Sequence, residues 1–475
     1  MLFSSSIFLF FFLPIVIIGY QLTKENLRIY FLMIASLFFY GWGEPKHLLI
    51  IGFSIFANYI SGLLMHITHG KKPILRKAIL FMALALNLCP LLYFKYTNFA
   101  FSSINHFFGI PFTLRNIVLP IGISFFSFKG ISYVVDVNKG RIPAEKNPSF
   151  VAFYIAFFPQ LLAGPIVRYK NVKEQMGNRS TSVEAIANGV KRFVIGLAKK
   201  VILANTLGNV ADQIFANPAV NHTPATAWLG IFCYTFQIYI DFSGYSDMAI
   251  GLAAMFGFRS PENFDYPYIA HSLSDFWKRW HMTLSLWFRD YVYFPLSGYL
   301  MKRKWKKRSI YIFSSLTVWL LTGLWHGASF HFLVWGLWHG FFLLLERSLE
   351  SFDAKKKFLM PVKHLITMLI VIVGWVLFRA NSLQEAISYT GIMFGLIEPQ
   401  NVGFTVWYYV DTKVVCALAI SMIISFPLAK CKGLSTVYNH PTWKYASAIL
   451  TLLLFFAAIV FVVASSYNTF IYFQF

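Results

Sequence analysis

The stretch LTVWLLTGLWHGASFHFLVWGLWHGFFLLL, residues 316–345, decides how the rest of the chain is read. It is almost wholly apolar over a length that crosses a bilayer, for which about 20 apolar residues suffice. Yet His326 stands inside it, between Trp325 and Gly327. An ionisable side chain within an apolar span is expensive to keep and marks a functional site, and a neutral histidine accepts a proton near pH 7. The alternative is a core histidine bonded to a backbone carbonyl. His331 and His339 follow, but their spacings put the three histidines on different faces of one helix. A metal site made by this helix alone is therefore not expected, and no His-Glu-x-x-His pattern is present.

Upstream lies a second phrase, Phe276-Trp-Lys-Arg-Trp-His281. Plotted at 100° per residue, Leu273, Phe276, Trp277, Trp280, Leu284, Trp287 and Phe288 share one side of a helix. His281 sits on the edge of that stripe, with Ser274, Lys278 and Ser285 on the same flank; Asp275, Arg279, Met282 and Arg289 fall on the opposite side. Such a helix suits a membrane interface or the floor of a cavity with a polar edge turned to a ligand. The plainer reading is a basic interfacial helix and nothing more.

Around these phrases the chain stays apolar. Of its 475 residues 57% are hydrophobic, 19% aromatic and 13% charged, the composition of a polytopic membrane protein. We expect an all-α transmembrane helical bundle, with re-entrant and interfacial helices around a central cavity, as a single domain over residues 1–475. The formal net charge of +22 would point to nucleic acid in a soluble protein. Here Lys and Arg cluster between apolar segments, where cytoplasmic loops and anionic lipid account for them. Membrane lipid, and not nucleic acid, is the expected partner. Cys89, Cys233, Cys416 and Cys431 show no close spacing, so neither a disulfide framework nor a zinc site is indicated.

Residues 7–20 are apolar, with no basic stretch before them and no small-residue cleavage site after, so a retained first span is expected. Further spans are expected at 29–41, 48–66 and 78–94. Segments 117–137 and 150–166 are interrupted, the first by Pro120, Gly122, Ser124 and Lys129, the second by Pro159, Gln160, Gly164 and Pro165. Broken helices at membrane depth line cavities. Residues 168–192 read as a loop and interfacial helix, and 193–203, with Lys199 and Lys200, as a short re-entrant or tilted segment. The span at 228–258 holds Gln237, Asp241 and Asp247, and Ser243-Gly244 invites a kink. Buried carboxylates need partners, so Asp241 or Asp247 is expected to hold a histidine or a basic residue. Later spans are expected at 364–378, 414–428 and 446–463, and the loops at 69–77 and 302–308 carry the densest Lys and Arg, which places both in the cytoplasm.

Taken together, Phe3-Ser-Ser5, Leu119-Pro-Ile-Gly-Ile-Ser-Phe125, Phe158-Pro-Gln-Leu-Leu-Ala-Gly-Pro165, Ile240-Asp-Phe-Ser-Gly-Tyr-Ser-Asp247, the 276–290 block, Leu321-Thr-Gly-Leu-Trp-His-Gly327, Trp375-Val-Leu-Phe-Arg379 and the aromatic carboxyl terminus form an ordered set. The set resembles the membrane-bound O-acyltransferase superfamily, in particular its alginate O-acetyltransferase-like bacterial branch, over nearly the whole chain. Thr469 stands where that pattern has proline, far along the chain from both histidines. The resemblance implies transfer of an acyl group, usually acetyl, from a cytoplasmic thioester such as acetyl-CoA to a hydroxyl of a glycan outside the bacterial inner membrane, with no bound cofactor. It implies a periplasmic or extracellular partner of the SGNH-hydrolase type. It also makes His326 the catalytic histidine and His281 the family's other polar position. A hydroxyl is a poor nucleophile at neutral pH, so such transfer needs a base within hydrogen-bond reach and donors for the developing oxyanion. Asp241, Asp247 and Asp275 are candidates for orienting a histidine, and Trp277, Lys278, Trp280, Ser285, Trp325 and Gly327 for binding or orienting substrate.

Other classes make different demands. A transporter would also place polar residues at mid-membrane, but with inverted repeats and paired broken helices, whereas here the polar residues bunch in one central block. A scaffold for polysaccharide export needs no base at all. Within the same superfamily, D-alanyl transfer to teichoic acid differs in its donor.

Overall fold

In a computed structural model that describes residues 1–68, 70, 72–177, 182–353, 359–428, 440–464, 467 and 471, the chain is helical, with no strand among the described residues. Cys431, Thr469 and the rest of the aromatic tail apart from Tyr467 and Ile471 lie outside them, as do His69 and Lys71 of the first basic loop. Two compact units form, Met1–Phe193 with Ser246–Pro261, and Val194–Tyr245 with Glu262–Phe475.

In the first unit the opening apolar run starts as a π-helical turn, Phe8–Phe12, and continues as α1 (Leu13–Leu22). Next come α2 (Arg28–Gly41), α3 (Leu48–Ile67) and α4 (Pro73–Phe108), where spans were expected. α4 outruns its apolar core at both ends, because Pro73 sits at the start, where its missing N–H leaves no bond unmade, and Gly109 closes the end in a left-handed conformation. α5 (Ile123–Asn138) starts only after Gly122, whose φ is 78°. A Cβ there would also lie 2.7 Å from the Leu161 carbonyl oxygen. The expected interruption is thus real at Pro120–Gly122, but Ser124 and Lys129 do not break the helix. Lys129 is buried and donates to the Tyr154 carbonyl at 3.1 Å. α6 (Pro148–Ala156) stops short of Pro159, and α7 (Tyr169–Met176) follows. In the loop between α5 and α6, Glu145 accepts from the Tyr169 hydroxyl at 2.6 Å, the Asn147 N–H at 2.9 Å and the Lys173 ammonium.

Residues 193–203 are not the separate short segment expected. α8 (Val183–Ala198) passes through a π-helical stretch, Lys199–Ala204, into α9 (Asn205–Phe215), a continuous helix of 33 residues. The charge at Lys200 does not end it because Lys200 is buried against Asp241 at 2.8 Å. α10 (Pro224–Met255) is likewise unbroken at Ser243-Gly244. Gly244 serves close packing instead: a Cβ there would stand 2.8 Å from the Gly196 carbonyl oxygen.

In the second unit the expected helix through 273–289 is two helices, α11 (Leu273–Arg279) and α12 (Met282–Phe288). Between them His281 has φ 42°, so the 100° register restarts and Arg289, placed on the far side by a continuous wheel, comes round to the side of His281 and Lys278. The loop after α10 stitches the break: the Asp265 N–H donates to the Arg279 carbonyl and the Met282 N–H to the Asn263 carbonyl, each at 3.0 Å. After α13 (Phe294–Lys302) the 316–345 run divides as well, into α14 (Lys307–His326) and α15 (Phe330–Asp353). Three glycines bring this pair together. A Cβ on Gly323 would lie 2.3 Å from the Phe332 carbonyl oxygen, one on Gly336 2.3 Å from that of Trp319, and one on Gly327 2.1 Å from the Phe332 ring. Small residues let helices approach this closely in lipid, where apolar surface alone drives no association. α16 (Met360–Arg379), α17 (Leu383–Met393), α18 (Val406–Tyr409), α19 (Thr412–Ile424) and α20 (Pro441–Ala464) complete the unit. Among the described residues five helical stretches are long and apolar enough to cross a membrane: Pro45–Ile67, Pro73–Phe108, Val183–Phe215, Met360–Arg379 and Thr442–Ala464.

Candidate active site

The division of both phrases at their histidines builds the site. His281 and His326 line one cavity of about 340 Å³ in the second unit. Trp277 and Lys278 line it from α11, Trp280 from the break, Ser285 from α12, Arg289 and Tyr293 from the π-helical turn that follows, and Ser315, Val318, Trp319 and Thr322 from α14.

His326 is the last residue of α14 and is buried. Its ring is held edgewise among Trp325, Trp335 and Phe378, at centroid distances of 4.8, 4.9 and 5.0 Å. An imidazole boxed by aromatic faces keeps one orientation. His281 is buried too, with Phe242 at 4.7 Å and Trp325 at 5.9 Å, so Trp325 touches both histidines. The His281 Nδ1 lies 3.0 Å from Asn263 Oδ1. That oxygen also accepts from the Thr283 hydroxyl at 2.8 Å and the Thr283 N–H at 3.3 Å. With the amide oriented by these two donors, Nδ1 of His281 carries its proton and donates to Asn263, which leaves Nε2 as the basic nitrogen.

Six of the expected residues therefore meet at the cavity wall: His326, His281, Trp277, Lys278, Trp280 and Ser285. Trp325 and Gly327 stand next to His326, Trp325 as its backing ring and Gly327 where the Phe332 ring leaves no room for a side chain. The three carboxylates hold basic residues. Asp275 accepts from Arg279 at 2.9 Å, and Asp241 binds Lys200 and the Ile471 N–H, the latter at 3.0 Å. Asp247, in the first unit, binds Arg192 at 3.0 Å. Among the described residues no group of three or more His, Cys, Asp or Glu side chains is placed to hold a metal ion.

Sequence reasoning missed several wall residues, and for most a signal existed. Thr322, Trp319, Val318 and Ser315 precede His326 by 4, 7, 8 and 11 positions, the helical spacing that keeps them on its face. Asn263 carried no such signal, since it reaches His281 from a loop. His339 was noticed only as a metal candidate. It is fully buried among Trp277, Trp335 and Trp319, at 4.9, 5.1 and 5.6 Å, and neither ring nitrogen has a hydrogen-bond partner among the described residues.

Two imidazoles, an ammonium and a guanidinium around a cavity walled by indole rings suit proton abstraction from a hydroxyl and stabilisation of the anion that follows. The comparisons with known proteins agree with that chemistry. Over its full length the chain is 40% identical to a probable alginate O-acetylase, AlgI, of Pseudomonas putida, covering 100% of both proteins. It is 33% identical to a peptidoglycan O-acetyltransferase of Helicobacter pylori, covering 100% of this chain and 98% of that one. A teichoic acid D-alanyltransferase of Bacillus subtilis matches at 28% identity over 54% of this chain and 66% of its own length. Residues 123–388, which include both histidines, match the family model described as MBOAT, membrane-bound O-acyltransferase family. The chain belongs to the membrane-bound O-acyltransferase family and is an O-acyltransferase of the membrane.

Proposed function

We propose that this enzyme moves an acetyl group from a cytoplasmic thioester, such as acetyl-CoA, to a hydroxyl of a glycan outside the bacterial inner membrane, with His326 as general base. The observation that carries the reading is the shared cavity of His326, His281 and Lys278. His326 takes the hydroxyl proton, the alkoxide oxygen attacks the thioester carbon, the C–S bond breaks and the thiolate leaves with the proton returned by His326. His281 presents the Nε2 lone pair, so it orients the acceptor by taking a hydrogen bond. Lys278, Arg289 and Tyr293 are the wall groups that donate to the oxyanion. The full-length likeness to acetylases of alginate and peptidoglycan supports acetyl over D-alanyl transfer, since the D-alanyltransferase match covers about half of the chain. An extracytoplasmic partner of the SGNH-hydrolase type completes delivery to the glycan. The chain passes three times between the two units, which supports one functional domain over residues 1–475.

The test compares wild type with His326→Ala and His326→Gln at matched membrane levels. Loss of a general base lowers the rate by about 100- to 10,000-fold. Glutamine keeps a hydrogen bond but takes no proton at neutral pH, so both variants are expected to insert, extract and elute as the wild type does while losing transfer. Either variant keeping more than about a tenth of the activity would rule out this base. Mass spectrometry of envelope glycans from a deletion strain identifies the acceptor by the ester that disappears.

A further inference from the structure

A second cavity, of about 410 Å³, opens where α14 begins and α15 ends, and it shares no lining residue with the one that holds the histidines. Lys307, Arg308 and Arg347 line it together with Tyr311, Ile312 and Leu344, and among the described residues no acidic side chain does. The Arg347 guanidinium lies 3.7 Å from the centre of the Tyr311 ring, so its position is fixed. Among the described residues none of the three cations is in an ion pair. Lys306 precedes α14 as its cap residue without a side-chain cap, and the first turn holds no acid, so the free N–H groups and positive end of the helix add to the same field.

The surroundings place this cavity at the level of lipid headgroups. On the polar side, Trp305 and Tyr299 are exposed amid Lys302, Arg303, Lys304 and Lys306, with Arg303 stacked 4.8 Å from the Tyr299 ring centre. On the apolar side, Phe313 is exposed one residue beyond the cavity on α14 and Phe341 three residues beyond it on α15. Apolar surface, then interfacial aromatic rings, then cations is the order met on passing from acyl chains to the phosphate plane.

We propose that this cavity is a binding site for the phosphate headgroup of an anionic phospholipid. The two guanidiniums and Lys307 hold the phosphate oxygens, Arg being suited to bidentate contact. Ile312 and Leu344 meet the start of the acyl chains. Three cations exceed the single charge of a phosphodiester, so a lipid with net negative charge is preferred to a zwitterionic one, as at basic pockets between membrane helices. A thioester donor also carries phosphate, but the exposed apolar rim favours the lipid.

The experiment is native mass spectrometry of the full-length protein in mild detergent, with phosphatidylglycerol and phosphatidylcholine supplied in equal amounts. Wild type is expected to retain phosphatidylglycerol at least about tenfold over phosphatidylcholine. A triple variant Lys307→Gln, Arg308→Gln, Arg347→Gln is expected to lose that preference, and Arg308→Lys to keep most of it. Equal retention of both lipids by wild type, or an unchanged preference in the triple variant, overturns the proposal. An unchanged lipid preference with a raised KM for a soluble acetyl thioester does so too, by assigning the cavity to the donor. Should the triple variant fail to fold, a photoreactive phosphatidylglycerol on wild type decides: labelling of peptides holding Tyr311 or Leu344 supports the site, and labelling confined to other peptides rejects it.

Discussion

Because Asn263 Oδ1 already accepts from the Thr283 hydroxyl and N–H, the imidazole nitrogen that faces it must donate, and one loop amide thereby sets the tautomer of His281. Leaving that buried donor without a partner costs about 1–3 kcal/mol, which corresponds to about 5- to 150-fold in rate if felt in the transition state. Asn263→Leu is expected to lower kcat by that order, while Asn263→Asp, which still accepts from Nδ1–H, keeps most of the activity. Equal kcat in wild type and Asn263→Leu, in steady-state assays, would remove His281 from the mechanism. A second prediction concerns Glu145, outside the spans. Burial pushes its carboxyl up, but hydrogen bonds from Lys173, Tyr169 and the Asn147 N–H outweigh this and hold it below its ordinary value. A depressed carboxyl contributes stability that is present above the unfolded value of about 4.5 and is lost as pH falls through the folded one. Melting midpoints taken from pH 7 downward should therefore fall more for wild type than for Glu145→Gln, and parallel curves would deny the linkage.

At the scale of elements, the proposed role of His326 as base makes transfer sensitive to how closely α14 and α15 approach, because the aromatic box around His326 takes Trp325 from the end of one and Trp335 from the other. Gly323 sets that approach. A methyl group there meets the Phe332 carbonyl oxygen at 2.3 Å, and backbone cannot rotate away as a side chain does. Gly323→Ala is expected to lower stability by about 1–3 kcal/mol, the usual penalty of overpacking, and to reduce transfer with it. Gly298→Ala on α13, where a Cβ meets nothing within 4 Å, is the control and should match wild type or exceed it slightly. Thermal unfolding in detergent compares the two, and equal midpoints would show that α14 and α15 are not held at contact by this glycine.

For the whole molecule, the positive-inside asymmetry makes a topological prediction that needs no side-chain geometry. In a background with Cys89, Cys233, Cys416 and Cys431 replaced, a cysteine at Lys304 should resist impermeant thiol reagents on intact cells and react after lysis; labelling from outside would reverse the assigned orientation. The same simplicity explains which features were legible from sequence. Composition and apolar run length determined an all-helical membrane protein, the ordered motifs pointed to the family, and a histidine amid tryptophans marked His326 and His281, since each rests on local chemistry read along one chain. The segments 29–41 and 48–66 match the helices α2 and α3 nearly residue for residue for that reason, though of the two only α3 is long enough to cross a membrane. Tertiary contact decided the rest. His281 leaves helical geometry, with φ 42°, at the break that residues 263–265 stitch from across the fold, so a wheel drawn through it put Arg289 on the wrong side. Lys200 stays within a helix because Asp241, some forty residues on, neutralises it. Hydropathy and period see a residue's own preference, whereas a left-handed turn or a buried ion is stable only through a partner that the fold brings from far along the chain.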